Sequence, residues 1–215
     1  MTDASAPVTI RAATLADTAR IVAILHDEPG QEILALAGGV RAAQRVGALI
    51  VRNSIQTMLP RTSVAEVDGV IAGFVESYTV TDEGAPPLAL VLKTLAQALP
   101  IAGPAGLLRF LRWQQARGRI EMRPPRGAYL VNEVDVHPAF RNRGIGGKLL
   151  DHAEADARRR GHGSMSLSTS TTNPAQHLYT RHGYRIVETR LDAGYEKITG
   201  IPGRVLMVKD LNAPS

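Results

Sequence analysis

Three glycines within the run Arg141-Asn142-Arg143-Gly144-Ile145-Gly146-Gly147 constrain this chain more than any other feature. The run follows an apolar strand candidate, Tyr129 to Val136, and leads into a helical pattern from Gly146 to Arg160. A strand feeding a helix through a short glycine loop belongs to an α/β architecture. Without Cβ atoms the loop backbone can come close to an anion, and the helix behind it points unpaired N–H groups and its positive dipole end the same way. Arg141 and Arg143 add full positive charge. The stretch reads as a phosphate grip, although a glycine turn in this place also serves simply to make the turn. It is not a Walker loop, because Lys148 is followed by Leu149 and no hydroxyl is placed for magnesium. Its Gly-x-Gly-Gly spacing also departs from the dinucleotide fingerprint, and no strand bearing a ribose-binding acid follows at the required distance.

The rest of the chain supplies a sheet for this loop. Val8 to Arg11 alternates like a short strand, and Thr14 with Asp17 resembles a capping box opening a helix through about His26. Ile21, Ile24 and Leu25 form the apolar stripe of that helix. A second helical stretch runs from Gln31 to Met58, with a break at Gly38-Gly39. Ser63 to Val67, Asp68-Gly69 and Val70 to Val80 read as a hairpin. Pro86-Pro87 and Pro124-Pro125 bracket two further helices, Leu88 to Leu99 and Ala105 to Glu121, broken at Pro100 to Pro104. Leu107, Leu108, Leu111 and Trp113 are expected to pack there, with Arg109, Arg112 and Arg117 in water. Beyond the glycine loop come a strand from Ser164 to Ser168, a helix from Pro174 to Arg181, and strands from Tyr184 to Leu191 and Arg204 to Leu211. The expectation is one domain over residues 1–215, with a central mixed sheet, helices on both faces and a helical insertion at 82–126 between the third and fourth strands.

A second telling stretch is Asn173-Pro174-Ala175-Gln176-His177-Leu178-Tyr179-Thr180-Arg181-His182-Gly183-Tyr184. Asn173 suits an N-cap, Pro174 a first helical turn and Gly183 a helix stop. Arg141, Gly144 and Gly146, preceded by Val134-Asp135-Val136-His137-Pro138, match the acetyl-CoA motif of the GCN5-related N-acetyltransferases (GNAT). The second stretch is similar to that family's Asn, Ala, Leu-Tyr and Gly-aromatic segment. The resemblance is clear from Ala128 to Ile186, weaker over the first eighty or so residues and absent between Asp82 and Arg126.

What this resemblance implies is a GNAT-like fold and an acetyl-CoA-dependent N-acetyltransferase, moving an acetyl group to a primary amine by direct attack on the thioester. Arg141, Asn142, Arg143, Gly144, Ile145, Gly146, Gly147 and Lys148 would hold the pyrophosphate, and Asn173 would complete the cofactor set. Val134, Asp135 and Val136 would pair their main chain with the pantetheine arm, and an amide near Val136 would face the thioester oxygen. Tyr179 matches the family's tyrosine that protonates the leaving thiolate. The family fixes no position for the base. Strand periodicity places Glu133 and Asp135 on one face and Val134 and Val136 on the other, which makes Glu133 the candidate base. A plain salt bridge to a neighbouring arginine is the other reading of that carboxylate. A coenzyme A-binding sensor without chemistry is the rival function, and a homodimer is compatible with the family.

Composition narrows the alternatives. The net charge of +5 raises nucleic acid as a partner, but the arginines are spread out and aromatic residues make up only 4%. The run Arg158-Arg159-Arg160 falls at a helix end, where cations complement the dipole. Zero cysteines exclude disulfides and a thiol nucleophile and fit a reducing compartment such as the cytoplasm. His177 and His182, five apart, and His152 and His162, ten apart, do not make a metal-binding pattern. No Gly-x-Ser-x-Gly elbow occurs. Met1 to Ser5 lacks a basic and apolar leader, and no uninterrupted apolar run reaches membrane-spanning length, so a soluble protein away from membranes is expected.

Overall fold

A computed structural model describes residues 7–27, 30–79 and 87–212, with His26 and Asp27 described by backbone alone. The expectations for the chain ends at 1–6 and 213–215, for Val80 and for the start of the insertion at 82–86 lie outside the described residues. Seven strands form one sheet in the order β1-β2-β3-β4-β5-β7-β6. They are β1 (Val8–Ala12), β2 (Thr62–Val67), β3 (Val70–Thr79), β4 (Tyr129–Val136), β5 (Ser164–Ser170), β6 (Arg185–Leu191) and β7 (Gly203–Asp210). Only β4 and β5 are parallel; every other neighbouring pair is antiparallel. The β2–β3 turn places Asp68 and Gly69 both at positive φ, 51° and 75°, as a tight two-residue hairpin requires.

The helices are α1 (Thr18–Asp27), α2 (Gln31–Ala37), α3 (Val40–Met58), α4 (Leu88–Arg119), α5 (Ile145–Arg159), α6 (Gln176–Arg181) and α7 (Ala193–Thr199). One face of the sheet buries Val75, Tyr129, Val131, Met165 and Met207 with Leu149, Leu150 and Ala153 of α5 and Tyr179 of α6. The other buries Val64, Ile71 and Phe74 with Ile21 and Ile24 of α1 and Val51 and Ile55 of α3. The break at Gly38-Gly39 is present, Gly38 ending α2 in the left-handed region at φ 80°. Helix α7 has no counterpart in the sequence reading. It is short and ends on Gly200, and its start rests on Asp192 accepting a hydrogen bond from the Tyr195 N–H at 2.7 Å.

Helix α4 differs from expectation in three ways. The first limb continues through Pro100, and the break is a single non-helical residue, Gly103, at φ 67° and ψ 178°. Arg109 does not stand in water: its Nε donates to the Leu36 carbonyl at 3.0 Å and ties α4 to α2. Leu107, Leu108 and Leu111 are not packed; they are 41%, 49% and 55% exposed. Within α4 an 18-residue window has a mean hydropathy of 1.4 and no buried residue, so by length and composition this helix is apolar enough to cross a membrane. Lys93 interrupts the apolar run without lowering that average enough to matter.

Candidate active site

The sheet opens where β4 and β5 diverge. These strands pair only at Tyr129–Met165 and Leu130–Ser166, although β4 runs on to Val136 and β5 to Ser170. Parallel strands that separate at their carboxyl ends leave a crevice of the kind in which α/β sheets bind ligands. On its other edge β4 stays paired with β3 throughout, and the His137 N–H reaches the Ala72 carbonyl at 2.9 Å. Main-chain groups alternate direction along a strand, so Asp135 also turns toward β3 while the N–H groups of Val134 and Val136 point into the crevice. Of the three strand residues expected to present main chain there, Val134 and Val136 are placed to do so and Asp135 is not.

A β-bulge adjusts which side chains reach the crevice. Glu76 pairs with Glu133 and Ser77 with Val131, which leaves Asn132 as the extra residue. Tyr129 and Val131 before the bulge, and Val134 and Val136 after it, all pack toward the α5 side. The bulge thereby moves the inward parity from odd to even positions and sends Glu133 and Asp135 together to the opposite face. Asn132 Nδ2 donates to Glu76 at 2.7 Å, and burial pushes the pKa of that carboxyl up.

Glu133 opens to solvent, yet protein surrounds it at the floor of the crevice. That desolvation, together with the negative charges of Asp135, Glu76 and Glu32 and opposed by Arg204, pushes its pKa up to about 7. Tyr179 comes from α6 on the far side of the sheet and is 7% exposed. Its pKa rises to about 12, first from burial and then from the charges of Glu133 and Asp135. The phenol therefore keeps its proton at neutral pH and lies within electrostatic reach of both carboxylates. The crevice brings together a held proton and a carboxyl that exchanges its own near neutrality.

The glycine loop closes one end of this crevice. Gly144 is the N-cap of α5 at φ 74°, in open space, and no side chain caps the helix. The first amides of α5 consequently have no side-chain partner and form an anion cradle. Asn142, also in the left-handed region at φ 61°, and Arg143, stacked over the Phe140 ring at 5.4 Å, flank it. Gly146 and Gly147 play a different part from Gly144. A Cβ on Gly146 would lie 3.0 Å from Leu178, and one on Gly147 3.0 Å from the His182 ring, so both sit in tight contact where α5 packs against α6 and its C-cap. Ile145 is buried in the core.

Three further expected ligands stand apart from the loop amides. The Arg141 Nε donates to the Val136 carbonyl at 3.0 Å, and its guanidinium lies 4.0 Å from Asp135, which pins the loop to the end of β4. The Lys148 N–H is used within the helix by the Gly144 carbonyl, leaving only its exposed side chain for a ligand. Asn173 accepts from the Ala175 N–H at 2.8 Å and donates to Thr169 at 2.7 Å, so its side chain holds the turn that precedes α6, whose N-cap is Ala175.

Glu32, Tyr195 and Arg204 were not legible as site residues. Arg204 on β7 donates to the Ser168 carbonyl and to Glu32, both at 2.8 Å, and Glu32 also accepts from the Tyr195 hydroxyl. In the sequence Glu32 is only an acidic residue in a first helical turn, a placement the dipole alone explains. Among the described residues no group of three or more His, Cys, Asp or Glu is placed to hold a metal ion.

Residues 106–186, which contain β4, the loop, α5, β5 and α6, match the family model of the acetyltransferase (GNAT) domain. By this match the segment from 106 to 186 is similar to the GNAT acetyltransferases. A 55-residue stretch is 40% identical to a streptothricin acetyltransferase of Streptomyces lavendulae, covering 25% of this chain and 29% of that protein. A structure described as histone acetyltransferase HPA2 and related acetyltransferase, from Corynebacterium glutamicum, superposes with a TM-score of 0.62 at 18% identity, over 97% of this chain and 98% of the other. Ard1 from Thermoplasma volcanium gives 0.57 at 16% identity, over 96% and 99%. At such identities the structural likeness is one of fold. For this chain the match makes acetyl-CoA, which the GNAT family generally uses, the donor to test against the site. Its unpartnered α5 amides and the crevice-facing amides of β4 fit the diphosphate and the amide-bearing arm of that donor.

Proposed function

We propose that this protein is a GNAT N-acetyltransferase that transfers an acetyl group from acetyl-CoA to a primary amine. One observation carries the reading: Tyr179 and the Glu133–Asp135 pair reach the same crevice from opposite faces of the sheet. The bound thioester would supply an activated acetyl carbon. The chain's own groups would do the remaining work. The amides of Arg143 to Gly147 and the charge of Arg143 hold the diphosphate end, and the Val134 and Val136 N–H groups orient the arm and face the oxygen that gains charge. A preorganised backbone donor of that kind is worth about 3 kcal/mol.

Proton transfers complete the balance. An amine is nucleophilic only when neutral, so Glu133, directly or through a water, first takes the ammonium proton and passes it to solvent, then takes the second proton that the nitrogen sheds as the C–N bond forms. The C–S bond breaks, and the thiolate takes the proton held by Tyr179. The acidic floor made by Glu76, Glu133 and Asp135 favours a cationic acceptor in its resting state.

Free thiol released from acetyl-CoA tests the reading, with a panel of a short alkylamine, a polyamine, lysine and streptothricin, the last suggested by the relative's name. Amine-dependent release is expected. Coenzyme A that protects the protein from heat while no amine produces thiol would replace the enzyme with a sensor.

A further inference from the structure

Helices α2, α3 and α4 line a half-open cavity of about 440 Å³, within the range of small-molecule sites. Its walls are almost entirely aliphatic and aromatic, including Leu36, Ile50, Leu95, Leu99 and Phe110. The few polar side chains in the wall are already engaged: Asn53 Nδ2 donates to Thr94 at 2.9 Å and to Gln97 at 3.0 Å, and the Ser54 hydroxyl donates to the Ile50 carbonyl at 2.8 Å. A native core of this composition would close around its own side chains. Here α4 is tied to α2 through Arg109 and to α3 through Asn53, yet only Gly106 and Ala116 of its residues are buried.

One end of the cavity meets the crevice. Glu32 lines the cavity and binds Arg204, which in turn holds the Ser168 carbonyl on β5, beyond the last β4–β5 pair. Trp113 also lines the cavity, and its buried indole N–H has no hydrogen-bond partner.

We infer that the acceptor is an amphipathic primary amine, with its ammonium over Glu133 and Asp135 and its apolar body in the α2–α3–α4 cavity. This rests on the amine-transfer reading above. A charged head and an apolar tail match the two adjoining environments, acidic at the crevice and hydrocarbon behind Glu32. A hydrophilic polyamine would satisfy only the first.

A series of n-alkylamines from butyl to octyl tests the inference, with spermidine as the hydrophilic control. The value of kcat/KM is expected to rise about fourfold per methylene that enters the cavity. Ala98→Phe, which adds a ring to the cavity wall, is expected to flatten that rise, and Ala102→Leu serves the same purpose should the first variant fail to fold. A flat series, or a slope that survives the filling of the cavity in a folded protein, overturns the inference. Trp113 is the only tryptophan, so its emission reports binding without turnover. If no amine releases thiol, the transfer reading fails by itself, and the cavity is judged by emission alone. A saturable octylamine response lost in the filled variant supports an apolar-amine site, and no response overturns it. A dimer that shields Trp113 before any amine is added also overturns it and assigns the walls to a second copy of the chain.

Discussion

The two sides of the β4–β5 crevice are built from different materials. Toward α5 the available groups are main-chain amides: those of Val134 and Val136, and the uncapped first turn behind Gly144. Toward α2, α3 and α4 they are side chains drawn from four elements, Glu32 of α2, Glu76 of β3, Glu133 of β4 and Arg204 of β7, backed by a hydrocarbon wall. A site made of backbone needs specific conformations, hence glycines at set spacings. A site made of side chains can be assembled from distant positions and leaves no contiguous trace.

Tyr179→Phe probes the meeting of the two sides and carries the largest expected effect. Removing the hydroxyl while keeping the ring in its core contacts is expected to lower kcat about a thousandfold, within the range for a positioned acid. Thermal unfolding of the variant is expected to match the parent, since no side chain among the described residues holds the hydroxyl. If instead KM for acetyl-CoA rises while kcat holds, the phenol belongs to the donor grip and not to the proton path.

Glu133→Gln tests the acceptor side alone and is expected to cost about a hundredfold in kcat/KM. Activity of the parent should climb through pH 7, because only the deprotonated carboxyl accepts a proton and its pKa lies near 7. The variant should lose that limb. Stability moves the opposite way. A carboxyl whose pKa is raised on folding binds more protons in the native state, so the native state loses ground as pH climbs from the ordinary glutamate range, about 4.3, to about 7. Glu133→Gln is therefore expected to unfold later than the parent above pH 7, and a rate limb that survives the substitution would move the base elsewhere.

How much of this was legible follows from the same contrast. The glycine loop, the strand before it and the segment from Asn173 to Tyr184 stand in the sequence as spacings, and the structure places the loop amides and Tyr179 at the crevice. The finer assignments blurred where one residue type serves two purposes. Gly146 and Gly147 look like Gly144 in sequence, yet the space a side chain would take at them is filled by Leu178 and His182, whereas at Gly144 it is open. Asn173 looks like a ligand or a cap, and its side chain instead closes the turn before α6, whose N-cap is Ala175. The bulge at Asn132 is invisible to a count of alternating residues, although Glu133 and Asp135 share a face because the alternation resumes after it. Helix α4 carried an apolar pattern that implied burial, whereas Leu108 and Leu111 face outward. Periodicity identifies the helix but not the surface it is meant to meet.

Asp17 belongs to neither side and offers the smallest expected effect on catalysis. Arg11 donates to it at 2.7 and 2.9 Å, and the Thr14 N–H and hydroxyl donate at 2.7 and 2.9 Å, so the capping pair reads as Asp17 accepting from both groups of Thr14. The Arg11 hydrogen bonds, against desolvation and with help from Thr14, hold the carboxyl well below the usual carboxylate range. A depressed native pKa means that the unfolded chain binds the proton more readily. The stabilisation is complete above the unfolded value of about 3.9 and is lost as pH falls through the lower native value. Asp17→Asn is expected to lower stability at pH 7 by about 2 kcal/mol, the loss of charge-assisted hydrogen bonds and a partial cap. In urea unfolding the gap between variant and parent should narrow below pH 4, while kcat stays that of the parent, because β2 and β3 lie between β1 and the crevice. A gap independent of pH would remove the carboxylate charge as its source. A fall in kcat would show that the edge of the sheet and the acceptor side are coupled, and so erase the separation between scaffold and site on which the contrast of the two sides depends.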